Sequence, residues 1–105
     1  MPPLRMMLSN EIERARRDRT TQLDDLRSQL HEIEREQRKI EDEVAGIDAK
    51  AETENKKLNS GTITAPREIQ ALSDEIDALG RRKRSLEDDE IELMERAEPL
   101  AADAE

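Results

Sequence analysis

The chain has 105 residues, enough for one domain, but 43% of them are charged, the net charge is −9, and Phe, Trp and Tyr are absent. Without the side chains that bury most area, a compact globular core is excluded, leaving either disorder or long helices joined along a narrow apolar seam. The absence of Cys likewise excludes a disulfide framework, a thiolate zinc site and a thiol nucleophile within this sequence.

Residues 1–7 read as a frayed terminus. Met1-Pro2-Pro3-Leu4-Arg5-Met6-Met7 lacks the uninterrupted apolar stretch of a signal peptide. No window of the chain approaches the roughly 20 apolar residues needed to span a bilayer. The reading is a soluble, cytoplasmic protein.

A helical hairpin is expected over residues 8–98. The spacing predicts a first helix over 8–58, with no proline inside it. Its seam is Leu23, Leu26, Leu30, Ile33, Gln37, Ile40, Val44, Ile47, Ala51, Glu54 and Leu58, at alternating steps of three and four. That is the a/d spacing of a coiled coil, broken only by Gln37 and Glu54. The residues between are mostly Glu, Asp, Arg, Lys and Gln, good helix formers apart from Asp.

A break follows over 59–65. Leu58 closes the first helix, and Ser60-Gly61 supplies the turn, Gly61 being free to take the left-handed conformation that ends helices. Pro66 suits the first turn of the next helix, where its missing N–H costs nothing, and Glu68 favours the same start. So short a connection sets the two helices antiparallel.

The second helix is predicted over 66–98 and is expected to stop at Pro99, leaving 99–105 as an acidic tail. Its seam is Ile69, Leu72, Ile76, Leu79, Lys83, Leu86, Glu90, Leu93, Ala97 and Leu100, again at steps of three and four. With Leu58 facing Ile69, residue n lies opposite roughly residue 127 − n, an antiparallel heptad register. The basic run 81–84 then meets Glu41-Asp42-Glu43, and the acidic run 87–90 meets Arg38 and Lys39. Each such pair contributes only ~0–1 kcal/mol, so its value lies in register more than in stability. The fold class is all-α: an antiparallel two-helix coiled-coil hairpin with a longer first helix. Residues from about 8 to 27 have no intrachain partner in this register, and continuing the heptad backwards from Leu23 gives Arg19, Arg16 and Ile12. Since a two-helix hairpin buries little surface for its length, a homodimer is expected.

The sequence offers little chemistry. His31 is the sole histidine and falls off the seam, so a zinc site would need several carboxylates, which suit that metal poorly. No cofactor is expected. Ser9, Ser28, Ser60, Ser73 and Ser85 have no His base in a plausible place, and a two-helix rod offers no cavity to perturb carboxyl pKa values. The three scattered glycines form no phosphate-cradling loop. The chain is therefore read as a non-enzyme. Arg14, Arg16, Arg17 and Arg19, on the overhang, are the candidate nucleic-acid contacts. Glu11, Glu13 and Asp18 lie in the same stretch, and no aromatic residue is present to stack on bases. The acidic last twenty residues, nine acids against Arg96 alone, favour solubility and repel nucleic acid. The leading expectation is a coiled-coil adaptor that binds protein; the alternative is a nucleic-acid-associated regulator.

The stretch Leu58-Asn59-Ser60-Gly61-Thr62-Ile63-Thr64-Ala65-Pro66-Arg67-Glu68-Ile69-Gln70-Ala71-Leu72 carries a family resemblance. It continues through Glu75-Ile76, Leu79, Arg81-Arg82, Ser85-Leu86-Glu87-Asp88 and Leu93-Met94-Glu95. It resembles the bacterial C4-type zinc-ribbon domain proteins that carry an N-terminal coiled-coil hairpin. In that family a long first helix ends in a Leu-Tyr-Ser-Gly turn, and an Asn-Pro-Lys-Glu-Leu start opens a heptad-rich second helix. Here Asn59 stands for the Tyr and Ala65 for the capping Asn, and no Cys-x-x-Cys pair occurs. The resemblance implies an adaptor that engages proteins and in some members RNA, including flagellar regulation through an alternative sigma factor. The missing ribbon implies a ribbonless relative or a fragment.

Overall fold

The computed structural model describes residues 3–104, a rod of 93 × 17 × 15 Å built from two helices, α1 (Leu4–Asn59) and α2 (Pro66–Ala104). The helices pack antiparallel along one seam, α1 being the longer.

Burial follows the three-four spacing. In α1 the residues withdrawn from solvent are Leu23, Leu26, Leu30, Ile33, Gln37, Ile40, Val44, Ile47, Ala51, Glu54 and Leu58, and every other described residue of the helix is exposed. In α2 they are Leu72, Ile76, Leu79, Lys83, Leu86, Glu90, Leu93, Ala97, Leu100 and Ala104, flanked by Ser73, Glu75 and Gly80. Ile33, Leu86 and Leu93 are the most enclosed apolar side chains, at 3–6% exposure. The core is thus a line of side chains rather than a volume. Its middle is protected best because it has seam neighbours on both sides.

Three ion pairs across the helices fix the register. Lys50 Nζ lies 3.0 Å from Glu75, Arg82 Nη2 3.3 Å from Glu43, and Lys83 Nζ 2.7 Å from Asp48. The residue numbers in these pairs sum to 125, 125 and 131, scattered about the 127 that heptad pairing requires. The basic run on α2 therefore meets acids of α1 at Glu43 and Asp48. The acidic run 87–90 has no ion pair with Arg38 or Lys39 among the described residues; Lys39 and Asp89 only line one groove beside Ile40 and Leu86.

The turn is held locally. The Ser60 hydroxyl donates to the Lys57 carbonyl at 2.7 Å and accepts from the Thr62 N–H at 3.3 Å, while its Oγ lies 2.7 Å from Thr62 Oγ1. Gly61 has φ +74°, in the left-handed region that side chains with a Cβ rarely enter. The first bonds of α2 run from Glu68 and Ile69 N–H to the Ala65 carbonyl. Ile63 is half-buried, whereas Ile69, placed on the seam by spacing, is exposed at 38%. Ile69 lies in the first turn of α2, at the end of the seam, with no seam pair beyond it to cover it.

Three expectations are corrected. Pro99 does not stop α2, which runs on to Ala104. Proline in a helix interior costs about 3 kcal/mol, but the seam spacing continues beyond it, and Ala97, Leu100 and Ala104 stay partly covered. Continued burial on α1 offsets the lost backbone bond. The acidic stretch 99–104 is therefore helix and not tail, residue 105 lying outside the described residues. At the other end Leu4–Met7 is helical and not frayed, with Met6 and Met7 N–H donating to the Pro3 carbonyl; residues 1 and 2 lie outside the described residues. Finally, the overhang is shorter than 8–27. The added turns of α2 bring Asp103 beside Gln22, Asp25 and Leu26, so full exposure ends at Gln22.

Two sets of substitutions test this account by thermal and urea unfolding. Leu86→Ala is expected to cost about 2–3 kcal/mol, the low end for a buried leucine because the seam is open at its flanks; an unchanged midpoint would place the seam elsewhere. Gly61→Ala should cost about 1 kcal/mol through its left-handed backbone. Gly46→Ala, where an added Cβ meets nothing within 4 Å, should instead stabilise by up to about 1 kcal/mol.

Candidate functional site

Two places on the rod carry more than hairpin packing. The first is a polar knot two turns below the hairpin turn. The α1 seam spacing puts Glu54 among apolar neighbours, and it is the one buried charged residue among those described, at 7% exposure. Its Oε2 has no hydrogen-bond partner. Glu75, one turn into α2 from Leu72, faces it across the seam and also takes the Lys50 ion pair.

Burial raises the Glu54 pKa above its ordinary value, and the adjoining Glu75 carboxyl raises it further, against the opposing charges of Lys50 and Lys57. Glu75 moves the other way. Hydrogen bonds from Lys50 and Glu54 hold its carboxylate below the ordinary value, and the same contact with Glu75 raises Lys50. Of the two carboxyls, Glu54 is therefore the first to take a proton as pH falls, and Glu75 the last. Farther along, the hydrogen bond and charge of Asp48 raise Lys83, which lets a lysine occupy a seam position by reaching its ammonium to the rim.

Among the described residues no group of three or more His, Cys, Asp or Glu could hold a metal ion. His31 is exposed, in a surface groove of α1 with Ser28, Glu34, Arg35 and Arg38. No helix of the described residues is long and apolar enough to cross a membrane.

The second place is the overhang. Every described residue from Pro3 to Gln22 is exposed, including Leu4, Met6, Met7, Leu8 and Ile12 at 47–72%. Arg14, Arg16, Arg17 and Arg19 are exposed there without an ion pair among the described residues. Helical geometry divides them: Arg16 and Arg19 line a shallow groove with Ile12, Ala15 and Thr20, and Arg14 and Arg17 point elsewhere. The turn residues Leu58, Ser60, Gly61, Pro66 and Glu68 sit together at the opposite end of the rod and act on chain reversal.

Sequence reasoning missed Glu75 as the partner of Glu54. Its signal was its position flanking the seam, three residues beyond Leu72. It also missed the exposed Ile91 and Met94 on the outer side of α2, which are apolar residues at non-seam positions of a charged helix.

The family model of the CT398-like coiled coil hairpin domain matches residues 6–105. No curated protein and no solved structure matches the chain.

The buried carboxyl makes a signed pH prediction. A raised folded-state pKa means that ionised Glu54 opposes folding at neutral pH, and that this opposition is relieved as pH falls through the raised value. The Glu75 contribution is present above its ordinary pKa and is lost as pH falls through its lowered one. Glu54→Gln should therefore be more stable than the parent at pH 7, with the gap closing toward pH 4 as Glu54 protonates. A gap that widens on acidification would show that Glu54 is ionised and satisfied in the folded chain.

Proposed function

Because the chain belongs to the CT398-like coiled coil hairpin domain family, we propose that it is a non-catalytic adaptor whose hairpin stiffens and presents a protein-binding helix. One observation carries this reading: the first five turns of α1 form an unbroken helix with Leu4, Leu8 and Ile12 exposed and no intrachain cover. Apolar anchors spaced one turn apart on such a helix favour a helical partner. The likeness to zinc-ribbon adaptors points the same way. With no Cys in its 105 residues, this chain would do such work through helical faces alone. The adaptor reading places the protein in the cytoplasm, and a homodimer is the simplest assembly that covers the face.

A second reading rests on Arg14, Arg16, Arg17 and Arg19, exposed and free of ion pairs among the described residues. They give a nucleic-acid-associated regulator a contact strip. The acids between them and the acidic end of α2, which begins where the overhang stops, count against it.

A photo-crosslinking residue in place of Ala15, in the source cells, separates the two. The adaptor reading expects protein adducts that disappear with Leu8→Asp plus Ile12→Asp while helicity is kept. Adducts to nucleic acid alone, weakened steeply by salt and abolished by Arg-to-Glu changes, would establish the second reading instead.

A further inference from the structure

The exposed large apolar side chains among the described residues are not scattered. Apart from Ile69 at the turn, they form two patches: Leu4, Met6, Met7, Leu8 and Ile12 on the overhang, and Ile91 and Met94 on the outer face of α2. The patches differ in charge. Residues 4–22 hold Arg5, Arg14, Arg16, Arg17 and Arg19 against Glu11, Glu13 and Asp18. Residues 87–104 hold eight acids against Arg96. Helical spacing sets Glu87, Asp88, Glu95 and Glu98 around Ile91 and Met94 on one face, as it sets Arg5, Arg16 and Arg19 around Leu8 and Ile12.

We propose that each overhang docks on the outer face of α2 in a second copy of the chain, giving a two-fold dimer joined at the open ends of the hairpins. This rests on the reading of the overhang as a protein-binding element and names what it binds. The contact cannot form within one chain, because α1 is a single helix from Leu4 to Asn59 whose overhang points beyond the end of α2. A two-fold axis across the rod lays the overhang parallel to the partner's α2. With Leu8 and Ile12 against Ile91 and Met94, equal helical rise brings Arg5 level with Glu87 and Asp88, and Arg16 level with Glu98. The two-fold repeats every contact. Heptad continuation from the hairpin reaches this same face. Backwards from Leu23 it runs through Arg19 and Arg16, a poor seam for a simple two-stranded extension.

Charge exchange tests the proposal on the full chain, with mass read by sedimentation equilibrium and folding by helical circular dichroism. One variant carries Arg5→Glu, Arg16→Glu and Arg19→Glu; the other carries Glu87→Lys, Asp88→Lys, Glu95→Lys and Glu98→Lys. The parent is expected at the mass of two chains, each variant alone at one chain, and the equimolar mixture at two chains again, since both contacts of the mixed pair regain opposite signs. If the multiple variants lose helicity, the single changes Arg16→Glu and Glu98→Arg serve. Each should raise the dimer dissociation constant about 5- to 30-fold, the effect of two rim pairs, and their mixture should restore it. A single-chain parent, variants that stay dimeric alone, or a mixture that stays monomeric each overturns the proposal. The adaptor reading fails separately, when the overhang crosslinks to no other protein.

Discussion

The line of apolar side chains at alternating three- and four-residue steps is the constraint on which the rest of the rod depends. A sequence with no aromatic residue and nearly half its residues charged has no means of enclosing a core in three dimensions. It has enough Leu, Ile and Val to cover one stripe on each of two helices. Once the turn at Ser60-Gly61 brings the stripes face to face, length replaces thickness, and Ile33, Leu86 and Leu93 are enclosed by neighbours up and down the seam. Every peripheral feature follows from where this stripe has a partner and where it does not.

Polar residues in the seam then select one register among several. A purely apolar stripe slides by a heptad at modest cost, so Glu54, Lys83 and Glu90 act as markers. Lys83 reaches Asp48, and Glu54 sits against Glu75. The first costs little, since its ammonium lies at the rim. The second leaves a carboxyl oxygen unpaired in the seam, and its ionisation opposes folding. Lys50 at the edge keeps the Glu75 charge paired. A seven-residue slip would break these contacts together with Arg82 and Glu43. The shape of the molecule is thus set by apolar spacing, and its alignment by a few charges.

Most of the hairpin was legible in the sequence because both devices are periodic. The turn chemistry of Ser60, Gly61 and Pro66, the two stripes and the opposite-sign runs all point to one antiparallel arrangement. What was not legible depended on competition between a local rule and a long-range one. Pro99 is a local stop signal, yet Leu100 and Ala104 continue the seam spacing, and packing on α1 prevails. Ile69 obeys the spacing but lies at the last level of the seam, beside the turn, so periodicity alone placed it too deep. Glu75 was hidden for a different reason: a carboxylate flanking a seam is ordinary until the residue facing it is another carboxyl. Of the overhang arginines, heptad spacing already set Arg16 and Arg19 in line with Ile12, and the helix gathers those three in one groove that leaves out Arg14 and Arg17.

The central claim is that the stripe has a partner from Leu23 onward and none before it. Native-state hydrogen exchange, followed residue by residue in a dilute sample, tests it most directly. The account predicts slow amides along α1 from about the level of Leu23 to the turn and along the facing length of α2. Amides over 4–20 should exchange far faster and slow as the protein is concentrated, because packing and not intrinsic propensity protects a helix of this kind. Equal protection along all of α1 at high dilution would contradict it, as would a protected N-terminal stretch above a labile middle.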